Sequence, residues 1–251
     1  MLLVPNWPAP ASVKAVTTTR EGGCSAAPYQ GFNLGMHVGD DINAVADNRA
    51  TLQQVLSLTT PPVWLNQIHG TTVLTLPHTL DGVPDADGGY TQVPGMACTI
   101  MTADCLPVLL CNKAGTEVAA VHAGWRGLAD GIIETAVAAF SAAPDEIMAW
   151  LGPAIGPTAF EVGGEVRAQF ITQDPQAAQA FVVSGDGAED KWLADLYQLA
   201  TQRLQSVGVS AVYGGEYCTY HSPAQFYSYR RDGVTGRQAS LIWIDAPTTH
   251  G

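Results

Sequence analysis

Two apolar runs, LPVLLCN at 106–112 and EVAAVHA at 117–123, flank the short turn-like stretch KAGT. Two such runs around so short a connection predict a β-hairpin that belongs in the core. The ends of this hairpin are chemically unusual. Asp104 and Cys105 stand just before the first run, and His122 closes the second. A hairpin brings a thiol and an imidazole so placed to the same edge, so their separation in sequence is no obstacle. The residues alone leave a plainer alternative open: Cys105 as a small buried hydrophobe and His122 as a satisfied core histidine.

The rest of the chain predicts mixed sheets with helices packed on them. VKAVTT, PVWLNQ, TVLTL, MACTIMT and IMAWLG read as strands, and a helix is expected from about Asn43 to Leu58. Leu128, Ile132, Ile133, Val137 and Phe140 recur at helical spacing directly after His122. EDKWLADLYQLATQRLQSVG reads as a helix capped at Gly208, and SAVYGGEY, FYSYRR and ASLIWID return to strand. Irregular alternation of this kind predicts an α+β fold. No repeat, low-complexity tract or linker divides the 251 residues. A single domain over 1–251 is expected, with the weakest candidate boundary near Thr172 to Asp190.

Charge narrows the partners. Eleven basic against 23 acidic residues give a net charge of -12, which repels nucleic acid backbones and anionic membranes, so neither is expected as a partner. Eight of the eleven cations are Arg, the side chain whose planar fork suits oxyanions. MLLVPNWPAP has no basic n-region and no segment has the roughly 20 apolar residues of a membrane span, so a cytoplasmic location is expected. Cys24, Cys98, Cys105, Cys111 and Cys218 form no C-x-x-C pair, and free thiols are expected. Cys98 and Cys111 lie inside apolar patterns, where a packing role is the default.

Three further features bear on the hairpin ends. Pro107 is an unusual occupant of a paired strand, which predicts an exposed bend at Cys105. HAGWRGL sets two glycines and Arg126 between His122 and an amphipathic helix, a place where backbone N–H groups can hold an anion; a tight strand-to-helix turn accounts for it equally. WLNQIHG adds His69 as a third candidate ligand at the end of another short apolar run.

NQIHG at 66–70, TADCLPVLL at 102–110, HAGWRGL at 122–128 and LGPAIGP at 151–157 resemble the ordered motifs of the YfiH family, also known as laccase-domain or polyphenol oxidase proteins. TTTREGGCS and FNLGMHVGDD near the start and FYSYRRDGVTGR near the end extend the resemblance over essentially the whole chain. It implies a single domain of mixed β-sheets flanked by helices, in α/β/β/α-like layers. It also implies a metal held by His69, Cys105 and His122. Two imidazoles and a thiolate suit zinc and leave a fourth position for water or substrate; copper accepts the same set. The activity implied is phosphorolysis of adenosine, inosine and methylthioadenosine, with adenosine deamination as a second reaction.

Deamination by a metal-bound hydroxide is normally helped by a carboxylate that is not a ligand, for which Asp104 is the nearest candidate. Phosphorolysis needs an anion pocket, for which Arg126, Arg20 and Arg230 are the candidates, each equally readable as a surface arginine. Two rival enzymes remain. A copper-dependent polyphenol oxidase would need more than six histidines with no H-x-H pair, and a metal-free hydrolase using Cys105 and His122 would leave His69 without a task. A non-enzymatic binding module would leave all three ligand-type residues unexplained.

Overall fold

In the computed structural model, which describes residues 1–77, 82–185 and 189–246, the two apolar runs form the expected hairpin. Leu106–Asn112 pairs antiparallel with Val118–Ala123, with Leu106 opposite Ala123 and Cys111 opposite Val118. The Asn112 side chain closes the turn by accepting from the N–H groups of Thr116 and Glu117. Every residue of both strands is buried, as an apolar run with no polar alternation requires. Period-two geometry then splits the run. Leu106, Val108 and Leu110 face one core, while Leu109 and Cys111 face another.

These strands are the centre of a six-stranded sheet, in the order Ala211–Gly214, Ile147–Leu151, Leu106–Asn112, Val118–Ala123, Gly88–Thr91, Val73–Leu76. The two outer pairs are parallel and the inner pairs antiparallel. On one face lie the helices Trp125–Asp130, Ile132–Ala138, Gly164–Gln173 and Leu196–Ser206, sharing a core with Leu128, Ile132, Phe170 and Leu199. On the other lies an antiparallel sheet ordered Leu2–Leu3, Val13–Thr18, Gln238–Ile244, Cys98–Thr102. Its Val13, Ala15, Ile100 and Ile242 meet Leu109 and Ala120 between the sheets. Its outer face, with Val16, Leu241 and Trp243, is covered by the helix Ile42–Val55 through Leu52. Helix, sheet, sheet and helix thus stack in layers in a single α+β domain. A small antiparallel sheet of Glu161–Gly163, Lys191–Ala194 and Phe181–Val183 adds Val162, Ala194 and Phe181 to the helix-side core. No helix among the described residues is long and apolar enough to cross a membrane.

Several local expectations are corrected. PVWLNQ is not a strand; it makes only isolated bridges at Val63 and Asn66. KWLA is the strand Lys191–Ala194, and the helix begins at Leu196, because Asp195 caps it by accepting from the N–H groups of Tyr197 and Gln198. YRRD is a short helix capped by Ser228 rather than a strand. The helix after His122 comes in two pieces, broken at Gly131 with φ 102°. Pro107 lies within a paired strand, opposite His122. The sheet tolerates it because the neighbouring strand ends at Leu151: the missing N–H falls beyond the ladder, and the Pro107 carbonyl accepts from Gly152 N at 2.9 Å. In the stretch 172–190, residues 186–188 lie outside the described residues.

Cys98 and Cys111 are fully buried between the sheets, and burial raises both thiols, Cys111 to about 12. Cys111→Ala should therefore lower stability by about 1 kcal/mol with turnover unchanged, read from melting curves and initial rates. A second prediction concerns Glu117, which accepts from Tyr90 Oη at 2.6 Å, Gln92, Asn112 and the N–H groups of Ser141 and Ala142. Burial alone would raise its carboxyl; these donors, Tyr90 first, hold it down from 4.5 to about 2. A depressed carboxyl adds stability that is fully present above the unfolded value and is lost as pH falls through the folded one. Melting temperature should fall between pH 4.5 and about 2, and Glu117→Gln should flatten that part of the profile.

Candidate functional site

His69, Cys105 and His122 converge at the end of the hairpin, with their donor atoms all within 4.8 Å of one another. The Cys105 sulfur is 3.9 Å from His69 Nε2, and the two imidazoles meet edge to face at 4.7 Å between centroids. Each residue arrives by a different route. His122 is a buried member of the strand Val118–Ala123, and Cys105 is half-buried immediately before Leu106. His69 is on an exposed loop in a left-handed conformation, φ 62°, and Asp104 turns the chain into Cys105 with φ 98°. Left-handed backbone at non-glycine residues persists only where surrounding contacts over-determine it.

For His69 those contacts come from Asp87, which is fully buried. Its Oδ1 accepts from His69 N at 2.9 Å and its Oδ2 from Gly70 N at 2.7 Å and Ile68 N at 3.2 Å. The same Oδ1 takes His122 Nδ1–H at 2.8 Å, which fixes the tautomer and leaves Nε2 free for the cleft. Burial would raise this carboxyl, but the hydrogen bonds from His122 and Gly70 hold it below its ordinary value. Two glycines leave the space this arrangement needs. A Cβ on Gly124 would stand 2.8 Å from the His69 ring and 3.2 Å from the Cys105 sulfur, and one on Gly127 would stand 2.7 Å from the Gly70 carbonyl.

Burial opposes charge on both Cys105 and His122, yet each favours it in the other: the thiol is pulled down to about 6 and the imidazole up to about 9. Without a metal the pair is therefore a thiolate and an imidazolium backed by a carboxylate, and a metal at His122 Nε2 would take the place of that proton. This donor set, oriented from behind and with space kept clear by Gly124, fits a tetrahedral metal with one open position.

The donors open onto a cleft of about 370 Å³ whose walls include His37, Gln67, Thr102, Tyr229 and Arg237. Gln67 is not free to read a ligand, since its amide donates to the Met101 carbonyl at 2.7 Å and accepts from Met101 N at 2.8 Å. The other residues singled out from the sequence lie elsewhere. Asp104 does not reach the cleft: its carboxylate accepts from Thr219 Oγ1 at 2.6 Å and Arg230 N at 2.7 Å, clasping the C-terminal segment. Arg126 is exposed and stacks over Trp125. Arg20 stacks over Tyr227 and donates to the Pro223 carbonyl at 3.1 Å, and Arg230 donates to the Glu161 carbonyl at 3.0 Å. Sequence reasoning missed Asp87, His37 and Arg237. The last two sit inside FNLGMHVGDD and FYSYRRDGVTGR, whose local patterns carry no sign that they meet at one cleft. Nothing in the spacing of PDADGG pointed to Asp87.

The family model described as multi-copper polyphenol oxidoreductase laccase matches residues 14–245. Purine nucleoside phosphorylase YfiH of Escherichia coli K12 is 54% identical over 243 residues, covering 97% of this chain and 98% of that protein. A solved Neisseria meningitidis structure of the DUF152 family superposes with a TM-score of 0.93 at 53% identity, over 98% of this chain and 99% of that one. The Bacillus licheniformis YfiH structure gives 0.86 at 29% identity, over 93% of each chain.

Asp87→Asn should weaken binding of a metal at these three residues, probed with zinc, about 10- to 100-fold, because the amide disturbs the orientation of His122 and the loop of His69 together. Gly124→Ala should weaken it by pressing on His69 and Cys105. Competition against a chromophoric chelator measures both.

Proposed function

The chain belongs to the YfiH family of laccase-domain proteins, and on that footing we propose that it is a metal-dependent purine nucleoside phosphorylase. Its substrates are adenosine, inosine and methylthioadenosine with inorganic phosphate, and adenosine deamination is a second activity. The observation that carries this reading is the trio His69, Cys105 and His122, backed by Asp87, at the end of a cleft large enough for a small ligand. These three residues would hold zinc, and copper accepts the same donors. When bound, such a metal supplies Lewis-acid polarisation and acidifies a coordinated water.

The protein's own groups do the remaining work. Asp87 keeps the His122 Nε2 edge directed at the cleft, and the pinned Gln67 gives that wall a fixed shape. Tyr229, 62% exposed on its short helix, offers an aromatic face for a purine at the mouth. Among the described residues no carboxylate lines the cleft, so proton handling in deamination falls to His37 or Tyr229 rather than Asp104. The net charge of -12 favours small-molecule substrates over nucleic acids and anionic membranes.

The test pairs metal analysis of protein purified without chelators with product chromatography on adenosine plus phosphate. Cys105→Ala and His69→Ala should lose metal and turnover together, since each removes one of three donors. A metal-free cysteine hydrolase would instead keep most of its activity in His69→Ala and be indifferent to chelation. A polyphenol oxidase would, once copper-loaded, oxidise phenols far faster than it turns over nucleosides. A fully metal-free preparation active on adenosine and phosphate would refute the metal-dependent reading.

A further inference from the structure

Phosphorolysis requires an oxyanion subsite beside the metal donors, and none of Arg20, Arg126 and Arg230 lines the cleft. Two stretches from opposite ends of the chain meet there instead. Asn33 is fully buried, and its Oδ1 accepts from both Gly35 N at 3.0 Å and Arg237 N at 2.8 Å, while Leu34 N donates to the Arg237 carbonyl at 3.1 Å. The Arg237 stem lies against Gly35: a Cβ there would come within 2.8 Å of Arg237 Cγ. Its Nη1 is fixed on the carbonyls of Thr235 and Gly236, at 3.1 and 3.0 Å. Among the described residues, Nη2 and Nε have no protein acceptor, although the guanidinium borders the cleft.

Thr102 supplies an independent sign of a ligand. It pairs with Gln238, next to Arg237, and lines the same cleft; it is 2% exposed, yet its hydroxyl has no hydrogen-bond partner. A buried hydroxyl left unsatisfied costs about 1–3 kcal/mol unless something absent from the protein satisfies it. His37, on the loop that starts at Asn33, adds a ring nitrogen on the same wall.

We propose that Arg237, Thr102 and His37 form a phosphate subsite on the wall of the cleft, with Arg237 supplying the charge, Thr102 a hydroxyl donor and His37 a ring N–H. This deepens the phosphorylase reading and rests on it for the role of the anion, though not for its binding. Burial, together with Arg237 and Arg49, lowers His37, so its ring is neutral at neutral pH and donates without adding charge. In phosphorolysis the bound phosphate oxygen forms the new bond to the ribose anomeric carbon as the bond to the purine nitrogen breaks. The bonding pair leaves with the base, which takes up a proton.

Inorganic phosphate titrated calorimetrically into the metal-loaded and the metal-free protein tests the subsite apart from turnover. Binding should persist in both forms, weaken about 100-fold in Arg237→Gln and weaken about 5-fold in Thr102→Val. Thr102→Val should leave the melting temperature unchanged or higher, since the hydroxyl it removes has no partner. This variant keeps the test decisive should Arg237→Gln fold poorly. In turnover, both variants should raise KM for phosphate by similar factors and leave KM for adenosine unchanged. Phosphate binding that survives in both variants, or that vanishes on metal removal, would overturn the subsite. Phosphate binding as expected in a protein that performs no phosphorolysis would overturn the phosphorylase reading and leave the subsite standing.

Discussion

The buried carboxylate of Asp87 is the contact on which the geometry of the cleft depends. One side chain with no exposure accepts from three successive backbone N–H groups, Ile68 to Gly70, and from the Nδ1 of His122. An isolated buried charge would be expensive; with four donors around it, the same charge becomes a rigid node. It fixes the left-handed turn that presents His69 and the tautomer that presents His122. Two histidines from distant parts of the chain are thus set by one group that touches no ligand.

Around that node, small residues decide what can approach. Gly124 keeps open the space between His69 and Cys105, Gly127 lets the His69 loop lie on the start of a helix, and Gly35 lets the Arg237 stem lie flat on its loop. Asp104, beside the thiol, serves instead to fasten Thr219 and Arg230, and so holds the segment bearing Tyr229 against the cleft. A carboxylate next to a reactive thiol in sequence therefore shapes the wall while its side chain points elsewhere.

The core was the most legible part of the sequence, since its signal is local. The runs 106–112 and 117–123 specify both strands and, through alternation, the two cores they separate. The three donors were legible because each closes or precedes such a run. What escaped was set by long-range contacts. PVWLNQ has the composition of a strand, but the Gln67 amide satisfies the Met101 backbone, so side chain replaces ladder. Pro107 reads as a breaker, yet the adjacent strand stops one residue short of it. Asp87 and Arg237 owe their places to partners at His122 and Asn33, which no local pattern discloses.

The strand order of the smaller large sheet has a consequence for biosynthesis. Gln238–Ile244, the last strand among the described residues, is inserted between Val13–Thr18 and Cys98–Thr102 and is hydrogen-bonded to both. A nascent chain that has emerged as far as Ala123 already holds His69, Cys105 and His122, but it lacks the strand that joins those two and the arginine that precedes it. Until residues 238–244 have been made, the sheet is split down its middle. Until then Thr102 lacks its pairing partner Gln238 and the cleft lacks Arg237, so that wall can be completed only after the three donors have been made.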